Sequence, residues 1–327
     1  MTSQPGLGDA KFHPLFNDET ADIIISSNMG TLYRMHKLIL RKTSNLPLHF
    51  DDQHVPLDSS GPTTNSEAHI SSFNGVKSDM SDPDITLPFP DHPIERVLSM
   101  ISGLSMDPWK SFTELEETVD VIQYLDKPGP LSIVRASCLI PVFTSEPVRL
   151  YGLAVKFGWE DEAQHAAQLT FSLNLLGDAQ ESNPSLGDQL SKLSGTALYK
   201  LLQLHQRRRD KFRESLYSQS IFGAGNVQES ICSVCASHLG NSPWRDFRSR
   251  MLLEMDQRVD CETIMNSDLE AWEETTRCFE ARCGCGRLYY DKVDTLRVIR
   301  CCVKQLPKNL YLSVINRIPI CIISWSL

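Results

Sequence analysis

Hydrophobic and polar positions change rhythm midway through Ala21–Leu40, where the chain reads ADIIISSNMGTLYRMHKLIL. Ile23, Ile24 and Ile25 form a β-branched run, Asn28, Met29 and Gly30 supply turn chemistry, and Leu32, Tyr33 and Arg34 resume an extended pattern. That succession predicts a β-hairpin. Met35, Leu38 and Ile39 then fall at i, i+3 and i+4, the spacing of one helix face. Strand, turn, strand and helix together point to an interaction module and not to a catalyst.

Further along, residues 51–84 are rich in Ser, Asp, Asn, Gly and Pro without apolar periodicity, and read as a flexible insertion that cannot repay its own ordering entropy. Ile85 to Phe89 predicts a short strand. Ile94, Val97, Leu98, Ile101 and Leu104 trace one helical face, and Leu115, Val119, Ile122 and Leu125 a second. The prolines of Lys127 to Pro130 end that helix in a turn. Ser145, Glu146 and Pro147 make a helix start, with Ser145 as the capping hydroxyl, and Gly158 a stop. Trp159 to Leu176 reads as the next helix, packed through Ala163, Ala166, Ala167, Thr170 and Leu173 and ended by Gly177. A polar linker at Asp178 to Asp188 precedes one long amphipathic helix marked by Leu198, Leu201, Leu202, His205, Phe212 and Leu216, and Phe222 to Asn226 reads as a hinge.

At 327 residues the chain is long enough for two domains. Its formal charge of −9 opposes a surface that tracks nucleic acid or anionic lipid throughout, so protein partners are expected. No apolar run reaches the roughly 20 residues of a bilayer span. The N-terminal residues lack the pattern of a secretory or mitochondrial leader, which places the protein in cytoplasm or nucleus. Ten cysteines in such a reducing setting are buried thiols, redox groups or metal ligands. Apart from Cys138 they crowd the last third, which marks a separate C-terminal module.

The hairpin, the MHKLIL helix and the later EPVRLYGLAVKFGWEDEA helix pair resemble a fungal BTB/POZ domain protein. The matching positions are Asp22 opening the first strand, His36 with Lys37 beginning the first helix, and Ala154 to Gly158 closing a later one. The resemblance implies an α+β fold, a small sheet covered by helices over residues 16–177, that dimerises or recruits protein partners, in some members to cullin-type ubiquitin ligases. It leaves residues 1–15 as a disordered N-terminus, 178–226 as a helical connector, 227–312 as a Cys-rich helical module and 313–327 as a tail without assignment. After Leu40 the chain departs from the family, because Pro47 in RKTSNLPLHFDD breaks the helix that usually follows.

Cys232 and Cys235 form a Cys-x-x-Cys turn and Cys283 and Cys285 a Cys-Gly-Cys-Gly turn, so four thiolates can close a tetrahedral, structural zinc site, with Gly284 and Gly286 letting the backbone bend. His238 is a substitute ligand. The other reading is four buried, unligated thiols. The span between the pairs is helical, with Trp244, Phe247, Met251 and Met255 on one face and Ser267 and Glu270 as a capping box. Cys301 and Cys302 sit on a helix where at least one faces the core. His205 is read as a satisfied buried histidine and His36 as a hydrogen-bond partner of Asp22. Arg207, Arg208, Arg209, Lys211 and Arg213 form a basic cluster read as a solvated, dipole-compensating helix end, with nucleic-acid contact the lesser reading. Three function classes follow: an adaptor without turnover; a nuclear DNA-associated regulator using the basic cluster and the Cys-rich module; and, last, an enzyme with Cys232 or Cys283 as nucleophile.

Overall fold

The computed structural model describes residues 11–43, 83–177, 184–227 and 230–310. The expected insertion lies outside these residues up to Ser81 and Asp82, as do Pro47, residues 1–10, residues 178–183 of the linker and the tail at 313–327. The architecture is α+β and mostly helical, and the chain divides into two compact units, Met1–Cys138 and Leu139–Leu327.

In the first unit the predicted hairpin forms. Strands β1 (Ile23–Ser26) and β2 (Leu32–Met35) pair antiparallel with Ile23 opposite Met35 and Ser26 opposite Leu32. Gly30 occupies the left-handed region at φ 83°, which a side chain would resist. Helix α1 (Lys37–Thr43) follows at once. A third strand, β3 (Ile85–Thr86), runs parallel to β1 and gives the order β2-β1-β3. It is shorter than the five-residue run from Ile85 to Phe89 suggests. Ile23, Ile24 and Ile25 are all buried, so β1 is covered on both faces, and that explains a continuous rather than alternating apolar run.

Asp22 does not bond His36. Its Oδ1 instead accepts the Lys37 amide at 2.6 Å and serves the exposed N-terminus of α1, while His36 Nε2 lies 3.3 Å from Asp18. Order also begins ahead of Phe16, because Leu32 donates to Lys11 O at 3.0 Å and His13 donates to Leu32 O at 2.8 Å, laying residues 11–13 along the free edge of β2.

Helices α2 (Asp91–Ser102) and α3 (Phe112–Tyr124) carry the two expected apolar faces, with Ile94, Val97, Leu98, Leu115, Val119 and Ile122 buried. Leu104 falls beyond α2 and is exposed. Between the two helices a buried Arg96 pairs with a buried Glu114. The prolines after α3 begin a new helix instead of a turn. Pro128 sits in the first turn of α4 (Pro128–Ser137), where a missing amide costs nothing because that amide has no intrahelical acceptor. Lys127 turns inward, donates Nζ to Leu40 O at 2.7 Å, and is pulled down to about 8 by burial.

The second unit opens with α5 (Pro141–Thr144), α6 (Pro147–Lys156) and α7 (Glu160–Leu169). Pro147 is in the first turn of α6 as its sequence suggests, but Glu146 is the N-cap residue and Ser145 donates to Val142 O instead of capping. Gly158, at φ 66°, stops α6, and the Trp159 amide closes back on Ala154 O at 2.9 Å in the six-to-one pattern of a left-handed C-cap. Helix α7 is shorter than the span from Trp159 to Leu176 and passes into a 3-10 turn at Thr170–Ser172. Residues assigned to a polar linker form the helix Pro184–Ser191, and the long amphipathic helix runs from Gly195 to Tyr217.

Phe222 to Asn226 is not a hinge. Gly223–Asn226 makes a single helical turn, and Gly225 lies flat against the ring of Trp244, itself packed on Phe222, Phe247 and Tyr290. A Cβ at Gly225 would stand 2.6 Å from Trp244 Cγ and Nε1. Gly225→Ala is therefore expected to cost about 1–3 kcal/mol by overpacking, read as a lower urea midpoint at unchanged slope.

Candidate metal centre

Two short antiparallel hairpins carry the paired cysteines. The first is β4 (Ser230–Ile231) with β5 (His238–Leu239), and its tip is CSVCAS. The second is closed by the bridge between Arg282 and Leu288 around the tip CGCGR. Each tip is tied in the same way. In the first, the Cys232 amide donates to Ser237 O and the Ala236 amide returns to Cys232 O, both at 2.9 Å. In the second, the Cys283 amide donates to Arg287 O and the Gly286 amide returns to Cys283 O, again at 2.9 Å. The residue after the second cysteine is left-handed in both tips, Ala236 at φ 54° and Gly286 at φ 83°. Gly286 thus supplies the bend assigned to both glycines. Gly284 does not share that conformation, and Ala236 adopts it against the clash of its own Cβ.

These tips bring all four predicted sulfurs together. The Sγ atoms of Cys232, Cys235, Cys283 and Cys285 lie within 4.8 Å of one another. Cys232 is 3.6 Å from Cys283 and 3.7 Å from Cys285, close to the edge of about 3.8 Å that four sulfurs take at 2.3 Å around a tetrahedral ion. Cys283 and Cys285 are nearer, at 2.8 Å, well beyond the 2.05 Å of a disulfide. Cys232 and Cys283 are buried, whereas Cys235 and Cys285 are exposed. His238 stands exposed on β5, outside the four-sulfur group.

The electrostatics are those of a set that gains from a cation. A hydrogen bond from the Ser237 side chain, whose Oγ lies 3.0 Å from Cys235 Sγ, holds that thiol down to about 6. Cys283 and Cys285 are hydrogen-bonded to each other. Hydrogen bonding between them lowers Cys283 and pushes Cys285 up to about 12, since two adjacent thiolates repel. A divalent ion removes that repulsion and takes all four sulfurs as thiolates.

Sequence spacing alone misses the groups that support the tips. Arg287 Nη1 donates to Ser233 Oγ at 3.0 Å and so links one tip to the other, and Arg282 Nη1 donates to Gly286 O at 2.9 Å. The helix Ser242–Gln257 turns Trp244, Phe247, Met251 and Met255 inward as expected. The expected capping box does not form. Ser267 lies inside a 3-10 turn, and Glu270 reaches Lys292 at 2.9 Å instead. Among the described residues, the other cysteines stand apart from the site. Cys138, Cys261 and Cys278 are buried, and on the helix Lys292–Lys304 Cys302 faces inward with Cys301 half-buried. Cys321 lies outside the described residues.

The basic cluster is solvated only in part, at Lys211 and Arg213, which pair at the surface with Glu214 and Asp210. It lies before the last turn of Gly195–Tyr217, and Arg208 and Arg209 are buried. Arg208 donates to Val259 O at 2.9 Å and Pro307 O at 2.7 Å with its guanidinium over the Phe171 ring, and Arg209 donates to Asp256 O at 3.1 Å. Arg207 reaches Asn309 O and Leu310 O. Arg208 and Arg209 thus meet carbonyls at and just beyond the end of Ser242–Gln257, where the helix leaves its last acceptors unpaired.

Beside them His205 is buried with Nε2 2.9 Å from Thr170 Oγ1, which donates onward to Ala167 O; Nδ1 has no partner among the described residues. Burial and the neighbouring guanidinium groups lower it to about 3. The unfolded chain therefore takes up this proton more readily below histidine's ordinary value of about 6.5, and the neutral histidine's contribution, complete above that pH, is lost as pH falls toward 3. His205→Asn is expected to flatten stability against pH between these limits by up to about 1.4 kcal/mol per pH unit, measured by urea unfolding at several pH values.

No helix among the described residues is long and apolar enough to cross a membrane. Compared with protein-family models, curated proteins and solved structures, the chain matches none of them.

Proposed function

We propose that the chain is an intracellular protein-interaction adaptor whose C-terminal module is held by a structural zinc ion on Cys232, Cys235, Cys283 and Cys285. The single observation that carries the metal reading is the convergence of four sulfurs from two hairpin tips that lie 51 residues apart at Cys232 and Cys283. Four thiolates leave no open coordination position, which suits a structural ion better than a catalytic one. The ion would bind the tips to each other, and the chain's own part is to gather the four sulfurs within 4.8 Å and to favour the Cys235 thiolate through Ser237.

The adaptor reading rests on the strand, turn, strand and helix of residues 23–43 with a third strand parallel to the first, an order that suits a BTB/POZ-like sheet. Such a domain recruits proteins in cytoplasm or nucleus, by homodimerisation or by docking a cullin-type ligase scaffold. Metal determination on purified full-length protein tests the first part: about one zinc per chain is expected, and Cys283→Ser should remove it. Zinc well below that level, unchanged by the substitution, would sink the metal reading. Size-exclusion chromatography with light scattering, then affinity capture on the full chain, tests the second; a monomer that retains no stoichiometric partner would count against an adaptor.

A further inference from the structure

The two exposed sulfurs of the cluster differ in what stands beside them. Cys285 is open to solvent, and its nearest neighbour is the buried Cys283 sulfur at 2.8 Å, with Cys232 at 3.7 Å. Cys235 is also exposed and bonds the Ser237 hydroxyl at 3.0 Å, with the other three sulfurs within 4.8 Å of its own but none recorded as near as Cys283 is to Cys285. The tip around Cys285 is also unobstructed: Gly284 and Gly286 have nothing within 4 Å of where a Cβ would sit. Around the rim Ile231, Val234 and Leu288 are exposed.

We propose that Cys285 is a thiol-modification site for hydroperoxides, with Cys283 as its resolving partner, and that its oxidation releases the metal. This rests on the zinc reading above. Metal coordination keeps all four sulfurs as thiolates, the form that attacks peroxide. The Cys285 thiolate displaces hydroxide from hydrogen peroxide, which breaks the O–O bond and leaves a sulfenic acid on Sγ. The Cys283 thiolate then attacks that sulfur and expels a second hydroxide, forming the S–S bond. The peroxide is reduced by two electrons and the sulfur pair is oxidised by two. Two of the four ligands are consumed, so the site loses its hold on the ion, while Cys232 and Cys235 remain as thiols. A disulfide across one intervening residue closes a small ring, which makes it readily reducible, and a dithiol reductant restores the ligands.

The sequence around the site suits a direct test. Trypsin cuts after Arg282 and Arg287 and frees the peptide CGCGR, which holds both sulfurs and no other cysteine. Purified zinc-loaded protein is titrated with hydrogen peroxide in the presence of a chromogenic zinc indicator, then alkylated and digested. The expected result is zinc release in parallel with a CGCGR peptide two hydrogens lighter and unalkylated. Cys138, Cys261 and Cys278, all buried, stay alkylatable after unfolding, and dithiothreitol with added zinc reverses both changes. Cys235→Ser should lower zinc affinity yet preserve the light peptide, which separates a weakened site from a lost modification.

Zinc that stays bound until other cysteines or methionines oxidise would overturn the proposal and leave the zinc reading standing. Release accompanied by a Cys232–Cys235 disulfide, with CGCGR fully alkylated, would overturn the assignment to Cys285. Protein that carries no zinc before any peroxide is added would instead remove the zinc reading on which the proposal depends.

Discussion

Removing zinc from the full chain with a strong chelator is expected to lower the thermal midpoint of the second unit by on the order of 10 °C and to leave the first unit's transition in place. The cause is local to the two hairpins. Neither hairpin has a core of its own, since β4 and β5 are two residues each and the second tip is closed by a single bridge. A two-stranded ribbon of that size is not stable alone in water. Without an ion the tips are linked by the hydrogen bond from Arg287 to Ser233 and by weak sulfur contacts from Cys232 to Cys283 and Cys285. Differential scanning calorimetry with and without chelator, followed by zinc re-addition, reads the shift. An unchanged thermogram for protein shown to have lost its zinc would mean that the helices around Trp244 hold the module without help.

The second large effect is expected at Arg208. Truncation in Arg208→Ala should destabilise the second unit by about 3 kcal/mol, a fall in midpoint of roughly 6–12 °C. Three losses combine. The carbonyls of Val259 and Pro307 lose their donor, the Phe171 face loses its cation, and the buried stem leaves a void. Burial of the charge offsets part of this, because it lowers the guanidinium's affinity for its proton. Arg208→Met separates these causes, since it fills the space without donating. A loss under about 1 kcal/mol in Arg208→Met would show that the stem's packing, and not its hydrogen bonds, makes the residue matter. Arg208→Lys is not a conservative exchange here, because one ammonium cannot span two carbonyls as a planar fork does.

The hairpin of residues 23–35 and the apolar faces of α2, α3 and the long helix were legible from periodicity, because each buries one strongly patterned surface. The sulfur site was legible from spacing, since a short turn between two cysteines has few other uses. Three kinds of feature were hidden. The prolines at Pro128 and Pro130 read as a break because a proline stops a preceding helix and starts a following one with the same chemistry. Glycine at Gly225 read as flexibility where it serves close packing, a distinction that depends on Trp244 nineteen positions on. The arginine run read as solvated because charge normally faces water. Its true acceptors are backbone carbonyls up to 103 positions away, which no local pattern records. Ala236 offers a signal that could have been used: both tips place a small residue straight after the second cysteine, and that position proves left-handed in each.

The reach of Arg208 also sets an order of events. Its acceptors lie 51 and 99 positions further along the chain. At a synthesis rate of 5–20 residues per second, the helix bearing Arg208 waits roughly 5–20 s for Pro307 to emerge. During that interval the guanidinium has the Phe171 ring already made, gains the Val259 carbonyl part-way, and lacks its Pro307 acceptor until the end. Arg208 therefore ties an early helix of the second unit to its last described residues, and that tie is complete only once residue 307 has been made.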